Sequence, residues 1–260
     1  MVPLVMGVLN VTPDSFSDAG CFLDHEAAIA HGLAMAGAGA DVVDVGGEST
    51  RPGAEPVTEA EERRRVVPVV EALADRVRVS IDTSKATVAA AAVDAGATLV
   101  NDVTASLHRV AAERGVGWVA MHMKGEPRTM QLDPRYDDVV GEVRAFLVER
   151  AEAAIEAGVD EVWIDPGIGF GKTKDHNLSL LRRLRSLVDT GHPVMVGTSR
   201  KSFLGALTED AAATDRLEGS LATAVHAVAQ GARMVRVHDV APTVQALRLT
   251  AEDFPTREDG

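Results

Sequence analysis

Cysteine is almost missing from this chain. Cys21 is the only one, which excludes an internal disulfide and any zinc site built on clustered cysteines. Aromatic residues make up only 3%. The core must therefore be assembled from Val, Leu, Ile and Ala, a composition that suits buried parallel strands under closely packed helices. No apolar run reaches bilayer-spanning length. The first residues carry neither a basic region nor an apolar stretch of signal-peptide length. A soluble, cytoplasmic protein is the expectation. Positive charge is scarce as well: 26 Lys and Arg face 39 Asp and Glu, for a net charge of −13. This argues against a surface that coats nucleic acid or is drawn to anionic membranes. It still allows a small anionic substrate held by local cations. Lysine is limited to Lys85, Lys124, Lys172, Lys174 and Lys201, so a lysine at a strand end is noteworthy against an arginine background.

What is present is regular. The chain has 260 residues, 46% of them apolar, enough for one large ordered core. Apolar, β-branched runs recur at Leu4–Leu9, Asp41–Val45, Val77–Ile81, Leu99–Val100, Trp118–Met121, Glu161–Ile164, Val194–Val196 and Met234–Val237. A helical pattern follows each. The helices are predicted at about residues 26–38, 58–74, 84–95, 107–114, 138–157, 177–188, 215–230 and 241–251. Thr58 and Glu61 form the pattern of a capping box. Thr83 or Ser84, and Thr214 or Asp215, are the expected caps of two later helices. Gly39, Gly96, Gly158 and Gly231 each close a helix two or three residues before a strand, in the grammar of a left-handed C-terminal cap. Eight strand–helix units without a hairpin signal predict an α/β protein folded as a single (β/α)8 TIM barrel over residues 1–251. Residues 252–260 form a polar C-terminal tail.

The polar residues collect after the strands, not before them. In such a barrel these ends share one face, where active sites are built. That face is predicted to hold Asn10, Asp18, Glu48, Thr50, Arg51, Asp82, Asn101, Asp102, His122, Asp165, Lys201, Ser202, Arg236 and His238. Asp82, Asp165 and Asn101 suit the edge of a planar, nitrogen-rich heterocycle, because carboxylates accept paired N–H groups and an amide both donates and accepts. Asp82 and Asp102 read equally as helix caps. Arg51, Arg236 and His238, cationic or potentially so, suit a pyrophosphate. Mg²⁺ could bridge its oxygens, since that ion takes few protein ligands beside substrate phosphates. Arg236 could also pair with Asp44 or Asp239. Gly197–Ser202 reads as a possible anion site where a strand turns into a helix.

Some patterns mislead. Gly171-Lys172-Thr173 resembles the end of a phosphate-binding loop, but Pro166 stands where its first glycine belongs. Gly167 and Gly169 begin a dinucleotide fingerprint in which Lys172 replaces the third glycine. His122 and His238 lack paired metal-ligand spacing and read as polar strand-end residues. Met121 and Met123 read as core or pocket wall.

At these residues the sequence resembles the dihydropteroate synthase family of pterin-binding barrels. The motifs are Met6–Asp18, Gly46–Gly53, Ser80–Thr83, Asn101–Val103, Asp165–Lys172, Gly197–Ser202 and Arg236–Asp239, all in order and each at a strand end. The resemblance implies a transferase that condenses 6-hydroxymethyl-7,8-dihydropterin pyrophosphate with p-aminobenzoate and is a sulfonamide target. It implies a pterin site of Asp82, Asn101, Met121, Asp165, Phe170, Gly197, Lys201 and Arg236, with Asp82, Lys201 and Arg236 catalytic. Pyrophosphate falls to Asn10, Arg51, Arg236 and His238, with Asn10 also on Mg²⁺. The p-aminobenzoate pocket falls to Phe16, Thr50, Pro52 and Ser202. A homodimer is implied too. One departure is visible: where the family commonly has a Ser-Gly or Gly-Gly turn, this chain has Thr104-Ala105-Ser106-Leu107. Rival readings are a pterin-binding barrel that moves a methyl group from a folate to a corrinoid protein, a non-catalytic pterin-binding relative, and a Schiff-base aldolase using Lys201. The first has less need of two long loops and a pyrophosphate cluster, and the last leaves that cluster unexplained.

Overall fold

The computed structural model describes residues 3–12, 25–49, 55–126, 128–208 and 211–251. Among them lie eight parallel strands: β1 (Leu4–Asn10), β2 (Val42–Gly46), β3 (Arg78–Asp82), β4 (Leu99–Asp102), β5 (Gly117–Met121), β6 (Val162–Asp165), β7 (Met195–Val196) and β8 (Met234–Val237). The helices between and after them are α1 (His25–Gly37), α2 (Glu59–Leu73), α3 (Ala86–Asp94), α4 (His108–Arg114), α5 (Val139–Glu156), α6 (Lys174–Arg182), α7 (Arg185–Val188), α8 (Ser202–Gly205), α9 (Leu217–Ala229) and α10 (Val240–Ala251). The strand order β6-β5-β4-β3-β2-β1-β8-β7 curls into a barrel. Its seam, between β6 and β7, is closed by one bridge, Ile164 to Val194. This is the predicted (β/α)8 barrel.

Side-chain alternation along the strands stacks the interior in layers. Met6, Val42, Leu99, Val119, Trp163, Met195 and Met234 meet as one apolar plug inside the barrel. Two residues further along the same seven strands stand Val8, Asp44, Asn101, Met121, Asp165, Gly197 and Arg236. The polar layer is thus placed directly above an apolar floor. On the outer face, the other set of strand residues packs against the helices in a single aliphatic core. Gly39, Gly96, Gly158 and Gly231 have φ of 99°, 112°, 95° and 104°, the left-handed conformation expected of them.

Several local expectations change. Thr58 Oγ1 accepts the Glu61 N–H, but the Glu61 carboxylate bonds Arg64 and Arg65 instead of closing a capping box. The N-cap of α3 is Lys85, not Thr83 or Ser84. Thr214 and Asp215 lie in a short 3₁₀ turn, and Arg216 precedes α9. The helix expected at 177–188 begins earlier, because Thr173 and His176 form a capping box, and it breaks at Arg183 into α6 and α7.

Asp102 proves structural. Its carboxylate accepts the backbone N–H groups of Thr104, Ser106 and Leu107 at 2.9, 2.6 and 2.6 Å, the Thr104 hydroxyl at 2.6 Å and the Trp118 indole at 3.3 Å. This holds the turn where glycine is missing. Ala105 takes φ 51° there, a conformation that disfavours a side chain by roughly 1–2 kcal/mol. Asp102→Ala removes the one acceptor shared by these donors, of which the Leu107 N–H and the Trp118 indole are buried. It is expected to lower the free energy of urea unfolding by about 3 kcal/mol. A loss under about 1 kcal/mol would show that the turn holds itself.

Candidate active site

A cavity of about 1300 Å³ opens at the C-terminal ends of the strands. Its walls include Asn10, Asp82, Asn101, Met121, Asp165, Phe170, Gly197, Lys201, Ser202, Arg236 and His238. Residues from seven strand ends, spread over the whole sequence, therefore face one space. Phe16, Thr50, Arg51 and Pro52 lie outside the described residues.

Arg236 organises the charges. Its Nε donates to Asp44 Oδ2 and its Nη2 to Asp82 Oδ2, each at 2.6 Å. Asn101 Nδ2 donates to the same Asp44 oxygen at 2.8 Å. Burial opposes the guanidinium charge, but Asp44 and Asp82 together outweigh it and hold Arg236 above the usual arginine range. For Asp82 the balance reverses. Burial pushes its carboxyl up to about 7, although Arg236 pulls the other way. Asp82 Oδ1 is buried and free of a partner among the described residues.

The turn after β6 supplies the opposite wall. Asp165 Oδ1 accepts the Gly167 N–H at 2.7 Å, and burial pushes the Asp165 carboxyl upward. Gly167 has φ 63°, and a β-carbon there would strike the His122 carbonyl oxygen, so only glycine fits. The Lys201 ammonium stands 3.9 Å from the centre of the Phe170 ring. Burial, then the nearby Arg236 charge, bring Lys201 down to about 8. Its neighbour Arg200 is structural: it adopts φ 59° and bonds Asp239 at 2.6 and 3.1 Å. Of the two partners considered for Arg236, Asp44 is therefore the real one, and Asp239 belongs to Arg200.

A family profile described as "Pterin binding enzyme" matches residues 6–238. The dihydropteroate synthase of Escherichia coli strain K12 is 46% identical over 99% of this chain and 94% of its own. A Xanthomonas albilineans dihydropteroate synthase, solved with 4-aminobenzoic acid, superposes with a TM-score of 0.91 at 48% identity, over 98% of this chain and 94% of that one. Another structure from that organism, in complex with 7,8-dihydropteroate, gives a TM-score of 0.87 at 45% identity, with 98% and 95% covered. The chain belongs to the dihydropteroate synthase family.

Within this member of the dihydropteroate synthase family, the sequence reading undervalued Lys172. It is 2% exposed. Its ammonium reaches His122 Nδ1 at 2.9 Å and the carbonyls of Phe170, Gly167 and His122 at 2.9, 3.0 and 3.2 Å. It pins both ends of the turn that carries Phe170. The rarity of lysine was the available clue. A second unforeseen group centres on Lys85. Lys85 Nζ bonds Glu48 at 2.8 Å and the fully buried Glu62 at 2.5 Å, and Thr83 donates to Glu62 at 2.7 Å. Glu48 also accepts the Val57 N–H at 2.7 Å. It thereby joins the two stems that flank residues 50–54.

His238 departs from the expected cation. Burial, then Arg236, bring it down to about 3. Ser199 Oγ accepts the His238 backbone N–H and lies 3.1 Å from Nδ1, so its proton can go to Nδ1 and leave Nε2 as a neutral donor. His122 is likewise brought down to about 3, by burial and then Lys172. Between pH 6.5 and about 3 the unfolded chain therefore binds protons that these folded rings refuse. Their contribution to stability is present above 6.5 and is lost as pH falls through that window. In an imidazole ¹⁵N NMR titration, both rings are expected to stay neutral from pH 8 to 5. A His238 that titrates near 6.5 contradicts this.

Proposed function

We infer that the chain condenses 6-hydroxymethyl-7,8-dihydropterin pyrophosphate with p-aminobenzoate, giving 7,8-dihydropteroate and pyrophosphate. The observation that carries this reading is the convergence of Asp82, Asn101 and Asp165, three groups able to accept ring N–H bonds, with Lys201 and Arg236 in one cavity. It is supported by similarity to dihydropteroate synthases over nearly the full length. A methyl transfer to a corrinoid protein has no comparable support.

The pterin is assigned to Asp82, Asn101, Met121, Asp165, Phe170, Gly197 and Lys201, with Arg236 against its face. Pyrophosphate is assigned to Asn10, Arg51, Arg236 and His238. Asn10 lies at the end of β1, and among the described residues no group of three His, Cys, Asp or Glu side chains could hold a metal by itself. One amide oxygen suits Mg²⁺ only as an ion carried in on the substrate's phosphates. Bound there, Mg²⁺ would neutralise part of the leaving group's charge.

Departure of pyrophosphate leaves positive charge on the exocyclic carbon, shared with the pterin ring. Arg236 favours departure by taking up phosphate charge. Asp82 stabilises the cation that remains. Lys201, seated over Phe170, fixes the ring and lends charge to its acceptor edge. The weakly basic arylamine then attacks the carbon, with Phe16, Thr50, Pro52 and Ser202 as its proposed pocket. No covalent enzyme intermediate is required, and no activated Ser or Cys is needed. Among the described residues no helix is long and apolar enough to cross a membrane. A cytoplasmic homodimer acting on these small molecules completes the proposal.

Purified protein with Mg²⁺, the pterin pyrophosphate and radiolabelled p-aminobenzoate is expected to form dihydropteroate. Intact pterin binding with no product above an enzyme-free control would favour a non-catalytic relative. Lys201→Ala should lower kcat by two to three orders of magnitude, roughly the cost of losing one preorganised charge, with the circular dichroism spectrum unchanged. Full activity in that variant would sink the site assignment.

A further inference from the structure

Asp44 is fully buried and stands in an otherwise apolar strand, one layer above the apolar plug. A carboxylate in such a place is costly unless its oxygens are well used. Only one is. Oδ2 accepts Asn101 Nδ2 at 2.8 Å and Arg236 Nε at 2.6 Å, while Oδ1 has no partner among the described residues. A residue retained for stability alone would be expected to satisfy both. The pattern fits a carboxylate whose value lies in what its single working oxygen does to two neighbours.

An amide can offer a ligand either its oxygen or its N–H groups. Asp44 takes one of the two N–H groups of Asn101, which fixes the amide nitrogen toward Asp44 and turns the amide oxygen away from it. The other end of that amide is an oxygen. The same contact fixes the Arg236 guanidinium, whose Nη2 holds Asp82 at 2.6 Å. Asp82 and Asp165 line the same cavity.

We propose that Asp44 is a positioning residue that sets the polarity of the heterocycle pocket: it makes Asn101 an acceptor, so that Asn101, Asp82 and Asp165 together select a ring edge rich in N–H donors. This rests on the pterin reading above and adds a residue that does not touch the substrate. A ring that carries acceptors where the pterin carries N–H groups is excluded by Asp44 at second hand.

The test is calorimetric titration of the pterin pyrophosphate, without p-aminobenzoate, into the wild type, Asp44→Asn, Asn101→Ala and the double variant. Asp44→Asn is expected to weaken binding at least tenfold. In the Asn101→Ala background the same change is expected to cost at least threefold less, because its route to the ligand is partly gone. Equal losses in both backgrounds, or unchanged affinity in Asp44→Asn, overturn the proposal. A purely structural role would lower thermal stability without this coupling in affinity. If Asp44→Asn cannot be purified, Asn101→Asp tests the contact from the other side. It keeps an oxygen for the ligand but sets a carboxyl against Asp44, so it should bind more weakly than Asn101→Ala; stronger binding overturns the proposal. A wild type that fails to bind the pterin overturns the functional reading and this one with it. Wild-type binding beside an unaffected Asp44→Asn overturns this one alone.

Discussion

The guanidinium of Arg236 joins three strands that the sequence keeps far apart. From β8 it reaches Asp44 on β2 and Asp82 on β3, each at 2.6 Å. Without Arg236, two carboxylates would face each other above an apolar floor, and their repulsion in a buried site would force one to hold a proton. With it, Asp82 is held by one oxygen, Asn101 is turned by Asp44, and Lys201 and His238 both feel a fixed neighbouring cation. The distribution of charge in the cavity follows from this one side chain. Its position follows in turn from strand alternation, since Arg236 stands two residues past Met234 of the apolar plug.

A second constraint acts at the barrel seam. Strands β6 and β7 share one bridge, so backbone pairing alone holds the two loops that leave them only weakly. Side chains supply the connection. Lys172 ties the β6 loop back to His122 at the end of β5, and the Lys201 ammonium from the β7 loop rests on the Phe170 ring. The two loops thus meet through a cation on an aromatic face at the wall of the cavity. Order at the seam and order at the site come from the same contacts.

The barrel, and the face on which its polar strand ends gather, were legible from residue pattern alone, for a physical reason. A strand buried on both faces must be apolar until it reaches the open end, so the first polar residues mark the cavity. Asp82, Asn101 and Asp165 announce themselves in this way. Asp44 did not, because it lies inside its strand; it entered only as a partner for Arg236. Lys172 was discounted because its motif imitates a phosphate loop, and one of its partners, His122, lies 50 residues away, where no local pattern connects the two. The pull that keeps His238 neutral could not be read in sequence, because burial beside Arg236 is a tertiary fact. Helix starts failed at Lys85 and Arg216 for a related reason: Lys85 is committed to Glu48 and Glu62, and Arg216 bonds the Ala211 and Arg200 carbonyls, so tertiary bonds replaced local caps.

Dihydropteroate formation requires a site that grips a flat ring by its N–H edge and leaves its exocyclic carbon open to an amine. Arg236, Asp44 and Asp82 build the grip, and Lys201 over Phe170 closes the other side. The most direct measurement is a crystal structure of this protein with the pterin pyrophosphate bound. The ring's N–H edge is predicted to lie against Asp82, Asp165 and the Asn101 carbonyl oxygen, with Arg236 stacked on its face and still bonded to Asp44. A ring bound away from these residues, or an Arg236 that has left Asp44 to reach it, would contradict that arrangement.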